Sequence, residues 1–214
     1  MSDQFAIGSL KGKIVAERFE LLDILGRGGM GTVYLARQLS VERDVALKMM
    51  RQETSQVTTA ADRFLREAKA TSRLKNNHTV TVYDFGQDDD GTLFLAMEHL
   101  EGRTLRDKID NDGPIELNEA IRIMCEMALS LSEAHDQGIV HRDIKPENIF
   151  LAQQREEPEF VKVLDFGIAM AKSVDPQTLT STGGVVGTTS YLSPEAIEGQ
   201  ELDARTDVYA MGLC

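Results

Sequence analysis

The sequence predicts an α+β chain, strand-built with one helix over about residues 1–98 and mostly helical from about residue 100. Three observations predict it. Apolar runs between Phe19 and Met97 are too short for helices and suit strands. One stretch among them, 58–75, follows a helical period. After Glu98, apolar residues recur at spacings of three and four.

Composition sets the bounds. The 214 residues suffice for one large domain or two small ones, with 42% hydrophobic and 27% charged residues, as in ordinary globular chains. A net charge of −12 argues against broad nucleic-acid binding, which needs a basic footprint. Cys125 and Cys214 lie far apart. Cys125 sits in an apolar helical pattern, so a reduced, buried thiol is expected there and a metal site is not. Met1 to Lys13 has no secretory pattern, and no apolar run is long enough to span a membrane. A soluble, cytoplasmic chain is expected.

In order, residues 1–18 form a lead-in containing Gly8 and Gly12. Strands are predicted at 19–25, 32–36 and 45–50, the first two joined by glycines as a hairpin. The helix of 58–75 carries Phe64, Leu65, Ala68 and Leu74 on one side. Two more strands, 80–83 and 93–97, flank Asp88-Asp89-Asp90-Gly91. That acidic turn is not an EF-hand loop, because position twelve, counted with Gly91 at six, falls on Met97 rather than a glutamate. A solvated hairpin turn is expected. Thr104 N-caps a short helix to Asn111, ended by Gly113-Pro114. Residues 117–137 form a long helix with Ile121, Met124, Ala128, Leu131 and Ala134 on its apolar face. Strands follow at 149–151 and 160–164, and residues 165–195 lack periodicity.

Four groups carry chemistry. Gly26-Arg-Gly-Gly-Met-Gly31 lets a backbone approach phosphates closely; since it opens a strand and not a helix, it is not a dinucleotide fingerprint. Lys48 lies among apolar neighbours, where it either snorkels outward or meets an anion, with Glu67 as a candidate partner. Asp165-Phe-Gly167 places an acid at a strand end, suited to a divalent ion or to an ordinary turn. His141-Arg-Asp-Ile-Lys-Pro-Glu-Asn148 packs an acid, cations and an amide between apolar runs. Alone it reads equally as a charged turn or as a loop on a rigid frame.

Together with Ser193-Pro-Glu195, these groups stand in the order of the protein-kinase signature set. From residue 19 to 214 the chain resembles a Hanks-type bacterial Ser/Thr protein kinase. The resemblance implies a bilobal fold. An antiparallel five-stranded sheet with one helix forms the N-lobe (about 19–98), and an incomplete, mostly helical C-lobe spans about 99–214. It implies ATP with Mg²⁺, or Mn²⁺ in its place. Leu25, Gly26, Arg27, Gly28, Gly29, Met30 and Gly31 would cover the phosphates, and Lys48 would bind them while paired with Glu67. Val33, Ala46 and Phe150 would enclose adenine, with Met97 as gatekeeper and Glu98 and Leu100 offering backbone hydrogen bonds. Asn148 and Asp165 would hold the metal. Asp143 would accept the proton of the acceptor hydroxyl. Lys145, bridged to it by Thr188, marks Ser/Thr acceptors, and His141 is implied to be a packing residue.

Arg142 implies regulation by a phosphorylated residue, with Thr178, Thr180, Ser181 and Thr182 as candidates and Thr180 or Thr182 favoured. Protein substrates, and a homodimer for phosphorylation in trans, are the implied partners. Three departures stand out. Residues 75–80 lack the usual His-Pro; Thr71 replaces an apolar residue, which would loosen its helix; and residues 153–158 lengthen a hairpin. Cys214 falls within the helix begun by Asp207. The resemblance therefore implies a fragment of a longer product, weak in nucleotide binding and catalysis, with exposed apolar surface on 117–137 and 208–214 and no arginine for Glu195. The rival readings are a pseudokinase scaffold, disfavoured because Lys48, Asp143 and Asp165 are all present, a small-molecule phosphotransferase, and a non-enzymatic module.

Overall fold

The structure, a computed structural model, describes residues 10–29, 31–50, 58–154, 158–166 and 189–214. They divide into two compact units, one comprising the chain up to Ala61 with Val82–His99, the other Asp62–Thr81 with Leu100–Cys214.

The first unit is an antiparallel sheet of β1 (Ile14–Val15), β2 (Phe19–Gly28), β3 (Gly31–Gln38), β4 (Arg43–Met50), β5 (Val82–Gln87) and β6 (Leu93–Glu98). Its order is β1-β2-β3-β4-β6-β5. The expected five strands become six because the lead-in joins the sheet. Ile14 and Val15 pair with Glu20 and Phe19, and Val15 is buried. Asp88 of the acidic turn secures this segment by accepting the Ala16 N–H at 2.8 Å, with Lys13 Nζ 3.4 Å away. The turn is a hairpin tip as predicted. Gly91 closes it in the left-handed region, and Asp90 accepts the Thr92 N–H at 2.9 Å.

Strand register separates the two sheet faces. Tyr34, Ala36, Val45, Leu47, Met49, Phe94 and Ala96 point to one side and form a core with Val15, Phe19 and Leu21. Val33 lies opposite Lys48, and Ala46 opposite both Leu35 and Met97, so the predicted nucleotide residues share the other face. Gly31 is obligatory for the backbone alone: a Cβ there would lie 2.0 Å from the Met49 carbonyl oxygen.

Helix α1 (Thr58–Thr71) ends earlier than the predicted 75, and Thr71, Leu74 and Phe64 are buried. The strand predicted at 80–83 begins at Val82. Residues 78–80, which belong to the second unit, run instead beside its strand Pro158–Val163, with Val163 N–H donating to His78 O at 2.7 Å and Val80 N–H to Val163 O at 3.0 Å.

The second unit contains β7 (Gly102–Thr104), α2 (Leu105–Asp112), α3 (Leu117–Asp136), β8 (Ile149–Gln153), β9 (Pro158–Val163), α4 (Pro194–Ile197) and α5 (Ala204–Met211). The third strand, β7, pairs with β8 and was not expected. Thr104 caps α2 as predicted, in a reciprocal capping box with Asp107. In α3 the buried stripe is Ile123, Met127, Ser130, Leu131 and Ala134, while Ile121 and Ala128 are exposed. Cys125, expected to be buried, is exposed for the same reason: it lies two residues past Ile123, turned off the stripe. The stripe packs with Leu105, Ile149, Leu151, Val161, Val163 and Ala210 in the core of this unit. Glu159 links Lys108 (2.9 Å) and Arg103 (2.9 Å) across β9, α2 and β7. Burial raises its carboxyl, but those hydrogen bonds outweigh it and hold the group at about 2. Leu117, Ile121, Leu129, Val208, Tyr209 and Leu213 are exposed, which matches the apolar surface expected on 117–137 and 208–214.

Candidate active site

The polar octet follows α3 through the turn at Gly138, and its last three residues, Pro146–Asn148, wind into a 3₁₀ turn that opens β8. Apolar anchors hold it, because Ile144 within the octet and Ile149 just after it are buried in the core. The polar side chains converge on Asp143. Lys145 Nζ lies 2.9 and 2.7 Å from its two carboxylate oxygens. Asn148 Nδ2 donates to Asp143 O at 2.7 Å and to Oδ2 at 3.0 Å. With its amino group turned to Asp143, the buried Asn148 amide points its oxygen away, as a neutral hard donor.

His141 is fully buried against Phe166, with ring centroids 4.7 Å apart. Both its nitrogens are engaged. Nε2 lies 2.7 Å from the Leu164 carbonyl and must donate, so Nδ1 is left to accept the Asp143 N–H at 3.2 Å. It therefore has no lone pair to offer a substrate. Burial pushes its pKa below the usual 6.5, against the opposing pull of Asp207 and the Leu164 carbonyl. The unfolded chain thus takes up a proton near pH 6.5 that the folded chain refuses. This group's contribution to stability is complete above about pH 6.5 and is lost as pH falls toward the depressed folded value. Urea melts between about pH 7.5 and pH 5.5 are expected to show stability falling with acidification, and His141→Phe to flatten that slope. An unchanged slope in the variant would assign the acid sensitivity elsewhere.

The backbone beside Asp143 is strained. Arg142 adopts φ +66°, unusual for a long side chain. It is held there by Asp207 of α5, fully buried, which accepts the His141 N–H at 2.8 Å and the Arg142 N–H at 2.7 Å. Arg142 Nε is buried without a hydrogen-bond partner among the described residues, as is Glu67 Oε2. Burial raises the Glu67 pKa, and the charges of Arg142, Arg63 and Arg66 oppose that.

Asp165 sits at φ +58° just past β9, and Phe166 fills the core behind it. On the sheet unit, Lys48 is 7% exposed, an unusual burial for a lysine. Gly26 and Gly28 lie at the end of β2, where a Cβ would meet nothing within 4 Å; Arg27 pairs with Thr32, and Leu25 is exposed. Glu98 closes β6, Leu100 follows it, and Phe150 lies in β8 opposite Thr104. Met30, Gly167, Thr178, Thr180, Ser181, Thr182 and Thr188 lie outside the described residues.

The model for the protein kinase domain matches residues 19–214. The chain belongs to the protein kinase family. Among its relatives, the serine/threonine-protein kinase pkn3 of Myxococcus xanthus is 44% identical over 204 residues, 94% of this chain and 37% of its own length. PknB of Mycolicibacterium smegmatis is 42% identical over 92% of this chain and 32% of its own length. The crystal structure of the PknI kinase domain of Mycobacterium tuberculosis superposes with a TM-score of 0.76 at 29% identity, covering 94% of this chain and 71% of that one. The chain thus spans about a third of the length of these curated relatives. Protein kinases use ATP and a divalent metal and act on protein substrates, and no helix of the described residues is long and apolar enough to cross a membrane.

Several contacts of this chain were not foreseen. Glu133 accepts the N–H groups of Lys75 (2.9 Å) and Asn76 (2.8 Å), and Asn76 Nδ2 donates to Leu129 O. This ties the loop that lacks His-Pro to α3, and a carboxylate two turns past Glu126 gave no signal of it. Glu195 accepts the Thr206 hydroxyl at 2.9 Å.

Proposed function

We propose that the chain is the catalytic domain of a serine/threonine kinase that transfers the γ-phosphoryl group of Mg-ATP to protein hydroxyls. The observation that carries this reading is the convergence of Lys145 and Asn148 on Asp143. A carboxylate held on both oxygens keeps one orientation and stays available to a proton. The acceptor hydroxyl attacks the γ-phosphorus, the bond to the β-phosphate oxygen breaks, ADP leaves, and the hydroxyl proton passes to Asp143. Lys145, already beside that carboxylate, neutralises charge on the group in transfer.

The donors fit a hard divalent ion. The Asn148 amide oxygen and the Asp165 carboxylate are the oxygen ligands that Mg²⁺ takes when phosphates complete its shell, and among the described residues no His or Cys cluster competes. When bound, the ion spreads the charge of the phosphates. Lys48, buried on the sheet, supplies a fixed cation to the α- and β-phosphates. The open space at Gly26 and Gly28 supports the phosphate loop, since the fold itself does not demand glycine there. Asp165→Asn is expected to weaken Mg²⁺-dependent ATP binding at least about tenfold while leaving metal-free binding unchanged. Equal loss with and without metal would overturn the assignment.

Regulation follows from Arg142. A buried guanidinium nitrogen without a hydrogen-bond partner among the described residues suits a phosphate, and we infer autophosphorylation at Thr180 or Thr182, within or between copies of the chain. Phosphopeptide mapping after incubation with Mg-ATP is expected to find the phosphate within residues 178–182. An unmodified segment in active protein would remove this idea. The reading places the protein in the cytoplasm, where ATP is supplied.

A further inference from the structure

We propose that two copies of this chain pair through the outward face of α3, antiparallel about a two-fold axis near Cys125. The pairing does not depend on phosphoryl transfer. The outward side of a surface helix is ordinarily its charged side. From Leu117 to Leu129 the exposed positions of α3 are Leu117, Asn118, Ile121, Cys125, Ala128 and Leu129, and none carries a charge. Leu117 is 69% exposed, Ile121 52% and Leu129 55%. With Cys125 they recur every four residues, so they form one ridge about 18 Å long. The charged side chains of this stretch are answered within the chain. Glu119 lies 3.0 Å from Lys108, and Arg122 lies 2.7 Å from Glu126. In a chain with 27% charged residues, an apolar ridge clear of charge is a contact surface.

Charge at the two ends of the ridge selects its partner. The N-terminal end is acidic, with Glu116 exposed beside Leu117. The C-terminal end is basic. Glu133, one turn past Leu129, accepts the Lys75 N–H at 2.9 Å and so holds the loop of the exposed Arg73 and Lys75 beside it. A ridge that is acidic at one end and basic at the other complements a reversed copy of itself. With Cys125 on the axis, Ile121 meets Leu129 of the other copy, and Glu116 approaches Lys75 of the other copy. Two chains of net charge −12 repel each other, and they meet at least cost where the face is uncharged. The ridge alone falls short of the roughly 800 Å² per partner of a stable complex, so the dimer is weak, with a Kd of about 10–100 µM. Packed helices stand about 8–10 Å apart, which brings the two Cys125 side chains within reach of a disulfide.

The test is sedimentation velocity of the whole chain in reducing buffer, from well below to well above that Kd, with thermal melts as the control for folding. Wild type is expected to pass from monomer to dimer, and Ile121→Glu and Leu129→Glu to remain monomeric with unchanged melts. Lys75→Glu should weaken the dimer about three- to tenfold, since the pair occurs twice, and Glu116→Lys in the same chain should restore it. Oxidation of wild type with diamide should give a disulfide-linked dimer that Cys214→Ser retains and Cys125→Ser loses. Should the glutamate variants fail to fold, Leu129→Ser replaces them, and the disulfide in the wild type needs no apolar variant. A wild type that stays monomeric throughout would overturn the proposal and leave the ridge to a different partner. A dimer that survives both glutamate variants, a charge reversal that restores nothing, or a disulfide that does not need Cys125 would also overturn it. Loss of kinase activity leaves each of these outcomes unchanged, so the two readings fail separately.

Discussion

Asp143→Asn is expected to lower kcat by about 10²- to 10⁴-fold, the range that a positioned proton acceptor contributes. The KM for ATP should change little, because the contacts of Asp143 are with Lys145, Asn148 and the His141 ring. The asparagine keeps the shape of the carboxylate and still offers one oxygen to Lys145, so folding should survive. Steady-state kinetics beside a thermal melt separates the two effects. Loss of rate with an unchanged melt supports proton acceptance, whereas retained rate would move that role to another group. His141 is a poor candidate, since both its ring nitrogens are already committed.

Asp207→Ala is expected to have the second large effect, this time on stability and rate together. It strips the buried His141 amide and the half-buried Arg142 amide of their acceptor, and each unsatisfied buried donor costs about 1–3 kcal/mol. The strained Arg142 backbone also loses its restraint. A net loss of about 3 kcal/mol or more in urea denaturation is expected, with activity near background. Asp207→Asn retains one acceptor oxygen and should lose less. A loss below about 1 kcal/mol for the alanine variant would mean that water or a shifted backbone satisfies the amides.

Sequence reading went furthest where chemistry restricts residue type. The glycines before β3, Lys48, the octet and Asp165 stand out in the sequence as residue types that suit a phosphate or a metal, and of these the structure brings Asp143, Lys145 and Asn148 into contact. Where apolar pattern alone decided, the reading slipped. Helix α3 carries Ile121, Ile123, Met124, Met127, Leu129 and Leu131, apolar on more than one side, so the period fits two stripes about equally well. Only packing on the small sheet selects Ile123, Met127 and Leu131 and leaves Cys125 and Ile121 outside. The lead-in strand is two residues long, too short for any alternation to show. The role of residues 78–80 was hidden for another reason: their partner, Val163, lies more than eighty residues along the chain. Asp207 was legible as the start of an anchoring helix. His135, which reaches it from α3, was not, because one histidine on an amphipathic helix looks like any other.

The central claim is phosphoryl transfer to serine or threonine with Asp143 as proton acceptor. Its most direct measurement is incubation with γ-labelled ATP and Mg²⁺ in the presence of a mixed protein acceptor, followed by phosphoamino-acid analysis of wild type and Asp143→Asn in parallel. The account predicts label on phosphoserine and phosphothreonine with wild type and almost none with the variant. Label on tyrosine, equal labelling by the variant, or no transfer by wild-type protein that binds Mg-ATP would contradict it.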